Sequence, residues 1–186
     1  FVGTKNIIDS IIQSKKKISW FFFASTSHVY SFSKKKIKET NKIKPISKYG
    51  KTKLFAENYI RNKLIKNNVK FCIGRIFSIY DNKSNDFIIS NLKKKISYKK
   101  DKIILSNLNH FRDFVTTKYI TKVIVFLMKR KISGLINVGS GKKTHLKSIA
   151  IKMANKYKKK IEIIDNINPT TMVSDNSKLK RMGFKK

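Results

Sequence analysis

The chain has 186 residues, of which 40% are hydrophobic and 11% aromatic, which is the size of one ordinary domain with enough apolar side chains to bury a core. Disorder as the default state is therefore excluded. The longest apolar stretches, residues 20–24 and 123–128, are far shorter than the roughly 20 residues that cross a bilayer. No signal peptide opens the sequence, so we expect a soluble, cytoplasmic protein. With one cysteine, Cys72, and three dispersed histidines, neither a disulfide nor a metal site is expected.

The formal net charge is +34, with 44 basic and 10 acidic residues. Such an excess suggests binding to nucleic acid, because lysine and arginine neutralise phosphates. Only 5 of the 44 basic residues are arginines, although the planar guanidinium is favoured for bidentate recognition of phosphate and guanine. The lysines also occur along the whole chain. We therefore interpret most of them as solvated surface and regard a nucleic-acid partner as the less favoured alternative.

Apolar runs of strand length alternate with amphipathic segments of helix length, without a low-complexity linker or a repeat. The pattern predicts helices at residues 5–13, 47–65, 87–96, 119–129, 145–156 and 177–182, and strands at residues 18–24, 69–77, 102–105, 112–115, 135–138 and 161–164. Such alternation is typical of a layered α/β domain with a mostly parallel sheet in its first half. The first strand is so apolar that we expect both of its faces to be covered.

Tyr49 and Lys53 lie four residues apart on a predicted helix, so their side chains share one face. The spacing alone is not informative, since three other tyrosines in this lysine-rich chain have a lysine four residues later. The context is informative. A buried strand ends in the hydroxyl-rich run at residues 25–27, a loop follows, and then comes the helix that carries Tyr49. Open α/β sheets bind their ligands at the carboxyl ends of strands.

These segments resemble the NAD-dependent epimerase/dehydratase family, the extended short-chain dehydrogenase/reductases that modify nucleotide sugars. Seven segments follow the order of the family's motifs. They are FVGTKNIID (residues 1–9), STSHVY (25–30), SKYGKTKLFAE (47–57), RIFSIY (75–80), HFRDFV (110–115), LINVGSG (135–141) and DNSKLKRMGF (175–184). The resemblance implies a partial Rossmann-like, doubly wound parallel sheet with a small α+β substrate-binding subdomain. Residues 1–80 would belong to the NAD(P)-binding domain, and residues 81–186 mainly to the sugar-nucleotide subdomain with interleaved Rossmann elements.

The resemblance also assigns catalytic roles. Tyr49 would be the acid/base, Lys53 its electrostatic partner, and Thr26 the hydroxyl that orients the sugar. A phenol ordinarily loses its proton near pH 10, so a nearby positive charge is needed for it to act as a base at neutral pH. Ser25 and Ser27 are neighbours that take the role of Thr26 if the alignment shifts by one residue.

The implied cofactor is NAD or NADP, held by Tyr49, Lys53 and Ser25, and the implied substrate is a nucleotide sugar. Ser27, Ser78 and Arg112 are the candidate substrate-binding residues, and Arg112 matches a family position that contacts the diphosphate, which suits a guanidinium. We expect a 4-epimerase or a reductase of a 4-keto sugar nucleotide that supplies cell-surface polysaccharide synthesis. A homodimer is a further expectation by analogy.

Two departures from the family pattern matter. Family members begin with a strand and a G-x-x-G-x-x-G turn that holds the dinucleotide pyrophosphate, and this chain, which starts at Phe1, contains no such motif. We therefore expect about a third of a complete member upstream, an unpaired sheet edge, and weak cofactor binding by the chain alone. Ser27 and His28 stand where 4,6-dehydratases carry an Asp-Glu pair, so dehydration is not expected. The alternative to an active enzyme is a truncated, catalytically inactive relative.

Overall fold

The computed structural model describes residues 1–14, 18–81, 87–98 and 103–185. The helices are Val2–Gln13 (α1), Lys48–Lys66 (α2), Ile88–Tyr98 (α3), Thr117–Lys129 (α4), Leu146–Lys156 (α5) and Ser177–Arg181 (α6). The strands are Phe21–Thr26 (β1), Phe71–Ile76 (β2), Ser78–Tyr80 (β3), Ile103–Ser106 (β4), His110–Arg112 (β5), Phe114–Thr116 (β6), Gly134–Val138 (β7), Thr144–His145 (β8), Ile161–Ile164 (β9) and Thr170–Met172 (β10). A 3-10 helix covers Ser27–Val29.

The six predicted helices are present, with ends that differ from the prediction by up to three residues. The strands β3, β8 and β10 were not predicted, because two or three residues are too few to show a periodic pattern. Lys102, which the sequence placed at the start of the fourth strand, lies outside the described residues.

A parallel sheet in the order β1-β2-β7 forms the centre of the fold. Phe23 of β1 pairs with Ile73 of β2, and Ile73 pairs with Leu135 of β7. Neighbouring strands in this sheet are separated in sequence by helices, as a parallel arrangement requires. The expected mostly parallel sheet is confirmed.

Helices cover both faces of this sheet, which makes it doubly wound. α1 and α2 bury one face over a cluster of apolar side chains: Ile8, Phe23, Ala56, Ile60, Leu64 and Ile73. On the other face, a second cluster joins the sheet to α4 and α6: Cys72, Ile76, Val115, Ile120, Val123, Leu127, Ile136, Val138, Leu179 and Phe184. Burial raises the pKa of the Cys72 thiol to about 12, so this cysteine is a packing residue rather than a reactive thiol.

A smaller parallel pair, β4 with β9, has its own core with α3 and α5. This core consists of Leu92, Ile96, Ile103, Leu105, Leu108, Leu146, Ala150 and Ala154. The strands β10, β5 and β8 form a further small sheet, and β3 pairs with β6. The division of the chain into a first part, residues 1–80, and a second part, residues 81–186, stays a prediction. The strand β7 belongs to the second part of the sequence but pairs with β2 in the central sheet.

The segment 112–115 is interrupted, whereas the sequence predicted one extended piece. β5 ends at Arg112 and β6 begins at Phe114, and the intervening Asp113 is fully buried. Its carboxylate accepts hydrogen bonds from Ser140 N and Oγ, Gly141 N, and Ser174 N and Oγ. Asp113 bonds to two other segments of the chain, at residues 140–141 and 174. The strand is interrupted at this residue because its side chain is directed to those segments. The G-x-G at residues 139–141 therefore surrounds the Asp113 carboxylate.

β1 lies at one edge of the central sheet and, among the described residues, pairs with β2 alone. The expectation that both faces of this strand are covered is wrong at Ala24, which is exposed. Phe21 and Phe22 are only partly buried. In the described ranges, no helix combines the length and the apolar character that a membrane span requires.

Candidate functional site

A cleft of about 300 Å³ opens at the carboxyl ends of β1 and β2. Its walls are the end of β1, the start of α2 and the turn into β3, with these lining residues: Ala24, Ser25, Thr26, Ser27, His28, Tyr49, Lys53, Ile76, Phe77, Ser78, Ile79 and Phe87. Six of the seven residues singled out by the sequence share this cleft, and Arg112 does not line it. The position agrees with the rule that open α/β sheets bind ligands at strand carboxyl ends.

The end of β1 places the hydroxyl residues. Ser25 and Thr26 are the last two residues of the strand, and the chain turns at once into the 3-10 helix Ser27–Val29. Thr26 is 6% exposed, and its Oγ1 accepts a hydrogen bond of 3.3 Å from the backbone N–H of His28. This bond fixes the side chain of Thr26 at the rim of the sheet and leaves its hydroxyl proton available.

The first turn of α2 places Tyr49. Ser47 caps the helix, because its Oγ accepts from Gly50 N at 3.0 Å. Gly50 lies directly against the 3-10 turn, where a Cβ would come within 2.3 Å of the His28 carbonyl oxygen. The missing side chain lets α2 approach the end of β1. The ring of Tyr49 consequently meets the ring of His28 edge-on, with 6.0 Å between centroids, and stays 55% exposed.

Lys53 lies one turn further along α2. Its Nζ donates a hydrogen bond of 2.9 Å to the carbonyl oxygen of Ala24 and lies 5.9 Å from the centre of the Tyr49 ring. Burial lowers the pKa of Lys53. Because its acceptor is a neutral carbonyl, the ammonium charge is not cancelled and can stabilise negative charge that develops in the cleft.

Behind the cleft lies a buried charge pair that the sequence did not single out. Glu57 is 1% exposed and Arg75 is 2% exposed, and Arg75 Nη2 lies 2.6 Å from Glu57 Oε2. Ser25 Oγ lies 2.5 Å from Glu57 Oε1. Glu57 falls four residues after Lys53, on the same helical face, and that spacing is the signal that could have placed it beside the cleft.

His28 is a second residue whose place in the cleft was not predicted. Its Nδ1 lies 3.5 Å from Ser47 Oγ. Burial, and to a smaller extent the positive charge of Arg112, lowers the pKa of His28 below its ordinary value of 6.5. The cleft therefore contains a neutral imidazole at pH 7, next to the phenol of Tyr49.

Arg112 sits at the end of β5. Its guanidinium donates to the carbonyl oxygens of Phe111 and Thr170 and to Thr170 Oγ1, and it lies 5.3 Å from the centre of the Phe32 ring. Burial lowers the pKa of Arg112. No carboxylate is among these partners, so the guanidinium has unneutralised charge close enough to affect His28.

A family model described as "GDP-mannose 4,6 dehydratase" matches residues 1–183. A curated relative from Methanocaldococcus jannaschii, named "Putative UDP-glucose 4-epimerase", is 29% identical over 156 residues, which are 80% of this chain and 50% of that protein. The chain thus spans about half the length of this relative.

Solved structures share the fold. The UDP-glucuronic acid 4-epimerase of Bacillus cereus, in complex with UDP-glucuronic acid and NAD, superposes with a TM-score of 0.84 at 21% identity over 97% of this chain and 59% of that one. The RMD protein of Pseudomonas aeruginosa, complexed with NADPH, gives 0.85 at 17% identity over 97% and 65%. The UDP-glucose 4-epimerase of Thermus thermophilus, complexed with NAD, gives 0.82 at 18% identity over 100% and 64%. The match over nearly the whole sequence shows that the chain belongs to the GDP-mannose 4,6 dehydratase family, within the NAD-dependent epimerases and dehydratases.

Proposed function

We propose that this chain carries the catalytic groups of an NAD(P)-dependent enzyme that acts on a nucleotide sugar, either as a 4-epimerase or as a reductase of a 4-keto sugar. The observation that supports this most strongly is the shared cleft of Thr26, Tyr49 and Lys53 at the carboxyl end of a parallel sheet. A phenol, an ammonium and a hydroxyl in one cleft provide a complete set for moving a proton to and from a sugar oxygen.

The residues present suit the nicotinamide end of a dinucleotide. Ser25, Tyr49 and Lys53 would hold it, since all three line the cleft beside the edge strand β1. The sequence has no glycine-rich turn for the pyrophosphate, so the given chain supplies only part of a dinucleotide site. The similar proteins from Bacillus cereus and Pseudomonas aeruginosa contain NAD and NADPH respectively, which supports the proposed cofactor class.

The geometry of the cleft supports a proton path through Tyr49. The Tyr49 phenolate would take the proton from the sugar hydroxyl as that carbon is oxidised, and the Tyr49 phenol would return it when the carbonyl is reduced. Lys53, 5.9 Å from the ring, would stabilise the phenolate, and the Thr26 hydroxyl would donate to the sugar oxygen and hold it in place. A bound nicotinamide supplies hydride transfer, which no side chain can perform.

The substrate class is supported by the relatives and by the composition of the cleft. The Bacillus cereus protein binds UDP-glucuronic acid. Ser27 and Ser78 line the same cleft here and would contact the sugar nucleotide, while Arg112 would reach its diphosphate from β5. Because Ser27 and His28 provide no carboxylate, we favour epimerisation or reduction over dehydration. A role in polysaccharide synthesis is part of this proposal.

The experiment uses the chain alone and fused behind a glycine-rich nucleotide-binding segment from a family member. Binding of NADH and NADPH is followed by fluorescence. UDP-glucose is offered together with NAD⁺, and a 4-keto sugar nucleotide together with NADH or NADPH. An epimerase converts UDP-glucose to UDP-galactose without net use of the cofactor, whereas a reductase consumes one reduced cofactor for each keto sugar. Binding without either reaction would favour the inactive relative. If neither form of the chain binds NADH or NADPH, the proposal is contradicted.

A further inference from the structure

The hydrogen bonds behind the cleft form one connected network in which the donor of each bond is fixed. A guanidinium only donates and a carboxylate only accepts, so Arg75 donates from Nε and Nη2 to Glu57. Arg75 Nη1 donates to the hydroxyl of Tyr30 at 2.8 Å, and this hydroxyl donates to Asn137 Oδ1 at 2.8 Å. The amide of Asn137 is fixed in turn, because its Nδ2 donates to the carbonyl oxygen of Ile37.

At the cleft end of this network, the bond to Glu57 decides whether the Ser25 hydroxyl donates or accepts toward the cleft. Arg75, a permanent cation, donates to both oxygens of Glu57 and forms a salt bridge with its carboxylate. The 2.5 Å contact between Ser25 Oγ and Glu57 Oε1 therefore uses the serine proton. The remaining lone pairs of Ser25 Oγ can only accept a hydrogen bond.

We propose that Glu57 is a positioning residue that fixes Ser25 as a hydrogen-bond acceptor toward the cleft, so that a bound ligand must present an N–H or O–H group to Ser25. Thr26 has the opposite polarity. Its Oγ1 accepts from His28 N, which leaves its proton for donation to an oxygen of the ligand. Ser25 would thus contact a hydrogen-bond donor of the ligand, and Thr26 an acceptor. The two hydroxyls are therefore not interchangeable as catalytic groups.

This inference rests on the proposed function for the identity of the ligand. Two groups there can donate to Ser25, namely the carboxamide N–H of a nicotinamide and a hydroxyl of the sugar. The acetylpyridine analogue of NADH separates them, because a methyl replaces the amide nitrogen and the carbonyl is kept.

In the first arm of the test, calorimetric titration compares NADH, this analogue and UDP-glucose. We expect the unmodified chain to prefer NADH over the analogue by about 3- to 10-fold, and Ser25→Ala to abolish the preference. A selective loss of UDP-glucose affinity in Ser25→Ala would instead identify a sugar hydroxyl as the donor. The control is Ser90→Ala. Ser90 is a buried residue of α3, and its hydroxyl donates to the carbonyl oxygen of Asp81. If Ser25→Ala changes neither affinity, the inference is overturned.

The second arm needs no ligand. Alkylation by iodoacetamide requires a thiolate, and in Ser25→Cys the adjacent Glu57 charge disfavours it. We expect the pH midpoint of alkylation to lie above that of free cysteine, and Glu57→Gln in this background to raise the rate at pH 8 about tenfold. The unmodified chain is the control, since its only cysteine, Cys72, is buried. If Glu57→Gln does not fold, the midpoint of Ser25→Cys decides alone, and a midpoint at or below that of free cysteine overturns the inference. Absence of all binding in the first arm would contradict the proposed function and leave this arm to decide.

Discussion

Lys53 donates a hydrogen bond of 2.9 Å to the carbonyl oxygen of Ala24, at the exposed edge of the central sheet. This bond joins the helix that carries Tyr49 to the strand that carries Thr26. It aims an ammonium charge into the cleft without a carboxylate to neutralise it. The relationship explains how groups that are 23 residues apart in the sequence, Thr26 and Tyr49, come to line one cleft.

The close approach of α2 to the 3-10 turn is tested by Gly50→Ala. The added Cβ would lie 2.3 Å from the His28 carbonyl oxygen, so the start of α2 must move away. We expect the free energy of unfolding to fall by about 1–3 kcal/mol. We also expect the fused chain to turn over a nucleotide sugar more slowly. Urea denaturation measures the first effect.

The matched control for this substitution is Gly3→Ala in α1. A Cβ at Gly3 meets nothing within 4 Å, and alanine is the better helix former by roughly 0.5–1 kcal/mol. This variant should be unchanged or slightly more stable. Equal losses in the two variants would contradict the role assigned to Gly50.

The buried carboxylate of Asp113 is tested by Asp113→Asn. The side chain accepts five hydrogen bonds, and an amide would turn an NH₂ group against these donors. We expect a loss of about 3 kcal/mol in the free energy of unfolding. Glu162→Gln, at an exposed position of β9, should change it by no more than about 1 kcal/mol, the upper range for an exposed charge. A loss for Asp113→Asn as small as that of Glu162→Gln would show that Asp113 does not hold these segments together.

The histidines near Arg112 are tested by an NMR titration of the imidazole C–H signals. Burial, followed by Arg112, lowers the pKa of both His28 and His110 below 6.5. In Arg112→Met, the pKa values of both should rise. In Arg130→Met, a substitution of an arginine that bonds to the Met182 carbonyl, they should not.

The same shifts predict how stability depends on pH. A histidine whose folded pKa is depressed takes up its proton more readily in the unfolded chain, so stability is lost as the pH falls below about 6.5 and through the folded value. This loss should be smaller in Arg112→Met, as followed by thermal unfolding between pH 7.5 and pH 5. An unchanged pH dependence would mean that the charge of Arg112 does not reach His28 and His110.

The order of elements was predictable from the sequence because the long elements carry strong periodic signals. The helix α2 shows this well, since it was predicted at residues 47–65 and covers Lys48–Lys66. Short strands such as β8 were not predictable, because they depend on pairing with a distant segment, here Phe111 with His145.

For the candidate site, six of the residues that line the cleft were predicted, but the hydrogen bonds behind them were not. Tyr49, Lys53 and Thr26 were found because the segments around them resemble the motifs of a known family. The bond from Ser25 to Glu57 and the pairing of Glu57 with Arg75 depend on packing between α2 and β2, which no local pattern encodes. The interruption at Asp113 was missed for the same reason.

In the proposed mechanism, the cleft is catalytic and Tyr49 transfers the proton. The most direct measurement is the turnover of the fused chain with a nucleotide sugar, comparing Tyr49→Phe with Tyr98→Phe. Tyr98 also has a lysine four residues later but is 82% exposed, on α3. The account predicts that Tyr49→Phe lowers kcat by about 10²- to 10⁴-fold while Tyr98→Phe leaves it unchanged. Unchanged turnover in Tyr49→Phe would contradict it.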